Sequence, residues 1–215
     1  MRPILFALLC SLALGVFASP VPHVVRAKSG GSRSPSPGAT TPKTAPCEFA
    51  VAVHDRGKLL ATGTKGIVYD VQKLYKNQKA VVKVIPENWA RSTPKEAQNL
   101  AAVGQLLDWG YKEDGKEKTH YLLMKNMGIP FSEVKPKLSE ADGNTLIMAA
   151  LERYKKEFQM TNNDKNPGNF LFRQVGGKWQ AEIVDWEKGV WEGKSAAPAA
   201  PAPKKVANPQ HCVVQ

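Results

Sequence analysis

Asn162-Asn163-Asp164-Lys165-Asn166-Pro167-Gly168-Asn169 runs straight into the apolar Phe170-Leu171-Phe172. A carboxylate and a carboxamide five residues apart, separated by Pro-Gly, cannot share a helix face, so the stretch reads as a loop turning two polar groups towards a common point. The apolar run predicts a strand that holds this loop rigid. Sixteen residues beyond Asn169, Ile183-Val184-Asp185-Trp186-Glu187 places a second acid at the end of a second apolar run. One Asp to orient or deprotonate a nucleophile, with an Asn and an Asp as hard oxygen ligands for Mg²⁺, is the set that phosphoryl transfer from a nucleotide requires.

Upstream, Leu59-Leu60-Ala61-Thr62-Gly63-Thr64-Lys65-Gly66-Ile67-Val68 has two glycines three apart opening a β run. Such a turn either lets backbone N–H groups approach phosphate or is an ordinary hairpin. Lys79-Ala80-Val81-Val82-Lys83-Val84-Ile85 is a β-branched strand with Lys83 in its middle. Two readings stand there: a buried, paired or ligand-bound Lys83, or an outward Lys83 with Val82 and Val84 inward. Thr93-Pro94-Lys95-Glu96 starts a helix that ends at Gly104, and Glu96 either closes a capping box on Thr93 or is free to meet Lys83. Residues 106–111 and 119–128 predict two more antiparallel strands, with Met124 in the second as core or as pocket wall. Residues 142–158 predict a helix with Ile147, Leu151, Tyr154 and Phe158 on one face. Gly176-Gly177 then turns a hairpin that sets Asn169 and Asp185 at adjacent strand ends.

Taken in this order, the pieces resemble the protein kinase-like superfamily over about residues 57–187. The resemblance implies an α+β fold with an antiparallel N-lobe sheet carrying one helix, and a minimal C-lobe of helix, catalytic loop and β-hairpin. It implies ATP and Mg²⁺ as cofactors, with Asp164 and Lys83 catalytic, and Asn169 and Asp185 on the metal. Gly63, Gly66, Val68, Lys83, Glu96, Met124 and Met127 would hold the nucleotide, with Glu96 paired to Lys83 and backbone groups of residues 125–127 on the base. The departures are specific. Ala61 replaces the first glycine of the phosphate loop, Asn162 replaces a histidine and so loses a structural contact, and Asn166 replaces a phosphate-neutralising lysine. Trp186-Glu187 replaces Phe-Gly. The helices that bind a peptide substrate have no counterpart after Asp185.

Residues 3–18 form an apolar run after Arg2 that ends in Val16-Phe17-Ala18, the pattern of a cleaved secretory signal peptide. Cys212-Val213-Val214-Gln215 matches a prenylation box, a cytosolic signal that contradicts export. The longer signal is preferred, so the protein is expected to be secreted and to meet a membrane only if Cys212 is prenylated. Residues 19–46 read as a disordered leader, 47–193 as the kinase-like domain, and 194–215 as an extended Ala/Pro/Lys-rich tail. Removal of Cys10 with the signal would leave Cys47 and Cys212, either bridged or both free. The formal charge of +11 lies mostly in the two ends, and residues 47–187 hold 21 basic against 18 acidic side chains. That distribution favours solubility over a nucleic-acid groove.

A secreted, truncated, kinase-like chain is similar to effector-type virulence proteins that fungal pathogens export. This resemblance implies a pseudokinase-like scaffold with a nucleotide-type pocket that binds a host or extracellular protein, a host kinase being one candidate. The alternative is an active Mg-ATP phosphotransferase acting on a protein or small molecule.

Overall fold

The structure, a computed structural model, describes residues 44–206. The expected signal peptide, all of the leader before Thr44, and Cys212 with its prenylation box lie outside the described residues. Cys47 is disulfide-bonded.

The architecture is α+β. Helix α1 (Thr44–His54) precedes the hairpin β1 (Arg56–Gly63) and β2 (Gly66–Val71), then β3 (Ala80–Ile85) and helix α2 (Thr93–Ala102). Strands β4 (Leu106–Asp114) and β5 (Glu117–Lys125) follow, then the short β6 (Ile129–Pro130) and one-turn α3 (Phe131–Val134). The long α4 (Glu140–Phe158) leads to β7 (Met160–Asn162), β8 (Phe170–Val175), β9 (Lys178–Ile183), β10 (Gly189–Trp191) and β11 (Lys204–Lys205). The main sheet has the order β1-β2-β3-β5-β4-β11 and is antiparallel except for the parallel β4–β11 pair. Two small sheets, β6-β8-β9 and β7-β10, carry the polar loop and the second acid.

Both faces of the main sheet are covered. Helix α1 lays Phe49, Ala50, Ala52 and Val53 against Val82, Tyr121 and Leu123 on one face. On the other, Ile85, Leu122 and Met124 join Ala97 and Leu100 of α2 and the α4 side chains Ala150 and Tyr154. The alternation of β3 therefore resolves in favour of a buried Lys83: Val82 points to α1, and Lys83 lies with Val81 and Ile85 on the face that α2 covers. Without α1, Val82 and Val84 would face water, while Lys83 would still lie under α2.

One detail of the expected elements changes. Thr93 is the first helical residue of α2 and Ser92 precedes it without a side-chain cap. The capping box on Thr93 is therefore not formed, and Glu96 is left free to point elsewhere. The Gly176–Gly177 turn is as expected, with both glycines at positive φ, 57° and 77°, where only glycine is unstrained.

Between residue 193 and β11 the described chain holds no helix, and its described end is docked. Lys204 and Lys205 pair with Gly110 and Tyr111, the Val206 N–H donates to the Tyr111 carbonyl at 2.8 Å, and Val206 is buried in the α1 cluster. Trp109 Nε1 donates to the Pro201 carbonyl, and Lys204 Nζ meets the buried Asp108 carboxylate, which also accepts from Tyr75. The folded unit thus extends past 193, to Val206 at least. A Cβ at Gly110 would collide with the Lys204 carbonyl and the Phe49 ring. Gly110→Ala is expected to displace β11 at a cost of about 1–3 kcal/mol. Hydrogen exchange reads this directly, since the Val206 amide should lose its protection; unchanged protection would count against the docked strand.

Candidate functional site

Lys83 and Glu96 meet across the main sheet and α2. Nζ of Lys83 lies 2.6 Å from Oε1 of Glu96, with side-chain exposures of 12% and 3%. Of the two readings for Glu96, the ion pair is the one realised. Burial works against the Lys83 ammonium, but Glu96, Asp185 and Glu187 outweigh it and hold its pKa above the usual lysine value. Burial raises the Glu96 carboxyl against the pull of Lys83, and Asp185 and Glu187 add to the rise. Three carboxylates thus gather around one buried ammonium, and the surplus is negative.

Asp185 and Glu187 are held there by Trp186, which is fully buried. Its indole donates to the Ile183 carbonyl (3.0 Å) and to Gln105 Oε1 (3.2 Å), and its own carbonyl accepts from Asn99 Nδ2 (2.7 Å). Asn162, expected to forfeit the contact a histidine would make, instead bridges the two polar loops. Its Nδ2 donates to the Asp185 carbonyl while its Oδ1 accepts from the Asp164 amide at 2.9 Å. A buried carboxamide supplies both a donor and an acceptor, so one side chain ties the two loops together.

In the polar loop, Asn169 Nδ2 donates to the Asp164 carbonyl at 3.3 Å, and the Asn169 carbonyl accepts from the Val184 amide at 3.0 Å. The expected hairpin therefore sets Asn169 beside the residue that precedes Asp185. Asp185 Oδ1 accepts from the Glu187 amide, while the Asn169 side-chain oxygen accepts no hydrogen bond. Among the described residues no group of three or more His, Cys, Asp or Glu is arranged to hold a metal by itself.

Two lysines that attract no notice in the sequence complete the site. Lys65, in the Gly63–Gly66 turn, forms an ion pair with Glu187, 122 residues away. Lys188 Nζ lies 2.8 Å from Asp164 Oδ2, and that bond, with the Asn166 amide, lowers the Asp164 pKa. An ammonium therefore stands beside Asp164 although position 166 is an asparagine. The sequence offers no local signal for either pair.

The remaining expected contacts are less direct. Gly63 and Gly66 face each other across a hairpin, and a Cβ on Gly66 would come within 2.7 Å of the Val84 carbonyl. Gly66 is thus required by strand packing. Val68 pairs with Lys83 in the sheet, and Met124 is a buried core residue. Of the backbone groups at 125–127 expected on a base, the amides of Lys125 and Asn126 donate to the carbonyls of Gln105 (3.0 Å) and Lys79 (3.1 Å), which ties the end of β5 to its neighbours. Met127 lines a cavity of about 410 Å³ formed with α4 and the β8–β9 hairpin, and a second, of about 260 Å³, lies between Phe131, Gly143, Ile147 and Pro167. Neither is lined by Lys83, Glu96 or Asp185.

No protein-family model and no curated protein matches this chain. No described helix is long and apolar enough to cross a membrane.

Proposed function

We propose that this chain is a secreted kinase-fold protein that acts by binding a host or extracellular protein, with a nucleotide-type site as its scaffold. The observation that carries this reading is the use made of the chain after Asp185. Those residues form the three-residue β10 and then return to brace the main sheet through β11, where a kinase spends them on a substrate platform. Support for the nucleotide site comes from the buried Lys83–Glu96 pair and the negative surplus around it. Asn169 and Asp185 would hold Mg²⁺, which when bound would screen phosphate charge. Lys83 would bind phosphate oxygens, and Glu96 would keep that ammonium in place. The Lys65–Glu187 pair closes the glycine turn towards Asp185, so nucleotide entry requires this surface pair to open.

A second reading, phosphoryl transfer, is favoured by one observation: Lys188 puts an ammonium beside Asp164, where charge on a transferred phosphate would need it. Asp164 would then orient the acceptor hydroxyl.

Thermal shift with ATP and Mg²⁺, run alongside phosphate release and transfer assays, tests both readings. At a hundredfold excess over its dissociation constant the nucleotide should stabilise the protein by about 2.7 kcal/mol, a shift of several degrees. Asp185→Ala should abolish that shift. Binding without turnover supports the scaffold, turnover supports the enzyme, and no shift at millimolar nucleotide removes the nucleotide from the proposal.

A further inference from the structure

The cavity behind residues 125–127 shares no lining residue with the Lys83–Glu96 pair. Its floor is a buried network: Glu182, 2% exposed, accepts from Tyr154 Oη (2.6 Å), from Arg153 Nη2 (2.8 Å) and from Arg173 Nε (2.9 Å). Gln105 Nε2 donates to the same tyrosine oxygen at 2.8 Å. A buried carboxylate needs such partners, and the floor is accounted for by that need.

The rim is not. Lys79 and Lys125 line the same cavity, and neither ammonium has a carboxylate within ion-pair reach among the described residues. Arg173 engages Glu182 through Nε and Nη2, leaving Nη1 without a protein partner. Counting the lining residues, Lys79, Lys125, Arg153 and Arg173 stand against Glu157 and Glu182, a surplus of two positive charges. With both arginines paired to Glu182, the two lysines carry the uncompensated charge of the lining, and a bound anion would neutralise it. One wall is apolar, made by Val103, Met127 and Phe158, and the volume of about 410 Å³ falls in the range of small-molecule sites.

We propose that this cavity binds a small phosphomonoester, its phosphate against Lys79, Lys125 and Arg173 and its organic part on the Val103–Phe158 wall. A phosphomonoester carries about −1.5 to −2 charges at neutral pH, which matches the surplus, and its three terminal oxygens suit a rim of separate donors. The arginines are already oriented by Glu182, so little side-chain freedom is lost on binding.

Isothermal titration of the full chain with phenyl phosphate, inorganic phosphate and phenol tests this. Phenyl phosphate is expected to bind more tightly than inorganic phosphate, and phenol to give no signal. Lys79→Gln with Lys125→Gln, which breaks no protein ion pair, should weaken phenyl phosphate by about tenfold or more. Asp185→Ala should leave it within about twofold. Absence of binding, binding that ignores the lysine substitutions, or loss in Asp185→Ala would each overturn the assignment, the last by moving the probe to the Lys83 cleft. Equal affinity for inorganic phosphate would overturn the organic half of it.

Discussion

Lys83→Met is expected to destabilise the protein by about 3–5 kcal/mol near neutral pH, because it strands the Glu96 carboxylate in the interior. Glu96 keeps only 3% of its side chain exposed and has no second cation within bonding distance. The loss should depend on pH in a defined direction. Burial already holds the Glu96 pKa above its unfolded value, and a group raised in this way favours the fold below its unfolded pKa and loses that advantage as pH rises through the folded one. Without Lys83 to oppose the rise, the displacement grows. Urea unfolding should therefore show a large deficit at about pH 8 that shrinks at about pH 5. Lys83→Met with Glu96→Leu should recover most of the stability, since an apolar pair of similar volume avoids both desolvation costs, while nucleotide binding stays lost. A deficit that is flat with pH, or a double variant no better than the single, would show that the pair does not carry the site.

Trp186→Ala is expected to cost about 3–5 kcal/mol as well, through the cavity it leaves. The ring is fully buried with its centroid 5.1 Å from that of Tyr154, and its nitrogen is bonded to Ile183 and Gln105. The functional effect should exceed the structural one. Trp186 lies between Asp185 and Glu187, and loss of its packed ring and of the indole bonds to Ile183 and Gln105 should loosen both acids although neither is changed. Trp186→Phe retains most of the volume and forfeits the indole hydrogen bonds, a cost of about 1–3 kcal/mol. The pair of variants separates filling from anchoring: denaturation midpoints report the first, and the Mg-ATP thermal shift reports the second. If Trp186→Ala unfolds only slightly more easily than the parent protein, the indole is not what fixes the loop.

What was legible in the sequence was local. The β-branched run at 80–85, the Gly176–Gly177 turn and the one-sided apolar face of residues 147–158 each specify their element through rules that need only neighbours in the chain. Lys83 shows where such rules stop. Alternation allows it on either face, and here both faces are covered: α2 takes the Lys83 side, and the other goes to α1, whose short apolar run around Phe49 follows directly on a Ser/Pro/Lys-rich stretch and carries no helical signature of its own. The site divides in the same way. Asp164, Asn169 and Asp185 announce themselves by residue type and spacing. Lys65 and Lys188 do not, because an ordinary surface lysine differs from one paired across 122 or 24 residues only in tertiary position. Glu182 was equally silent: one acid in Lys178–Ile183 looks like a solvated residue until Arg153 and Arg173 are seen to flank it. The docking of β11 needs knowledge of the open β4 edge, which composition cannot supply.

Gly110 touches both Phe49 and Lys204, so one glycine joins the first described helix to the last described strand. This has a consequence for biosynthesis. Until residues near 204 have been made, β4 has an unpaired edge and the Phe49–Tyr121–Leu123 cluster lacks its final cover. A nascent chain in this condition lacks that partner until the β11 stretch emerges, so the open β4 edge and the uncovered Phe49 cluster are closed together in one late step.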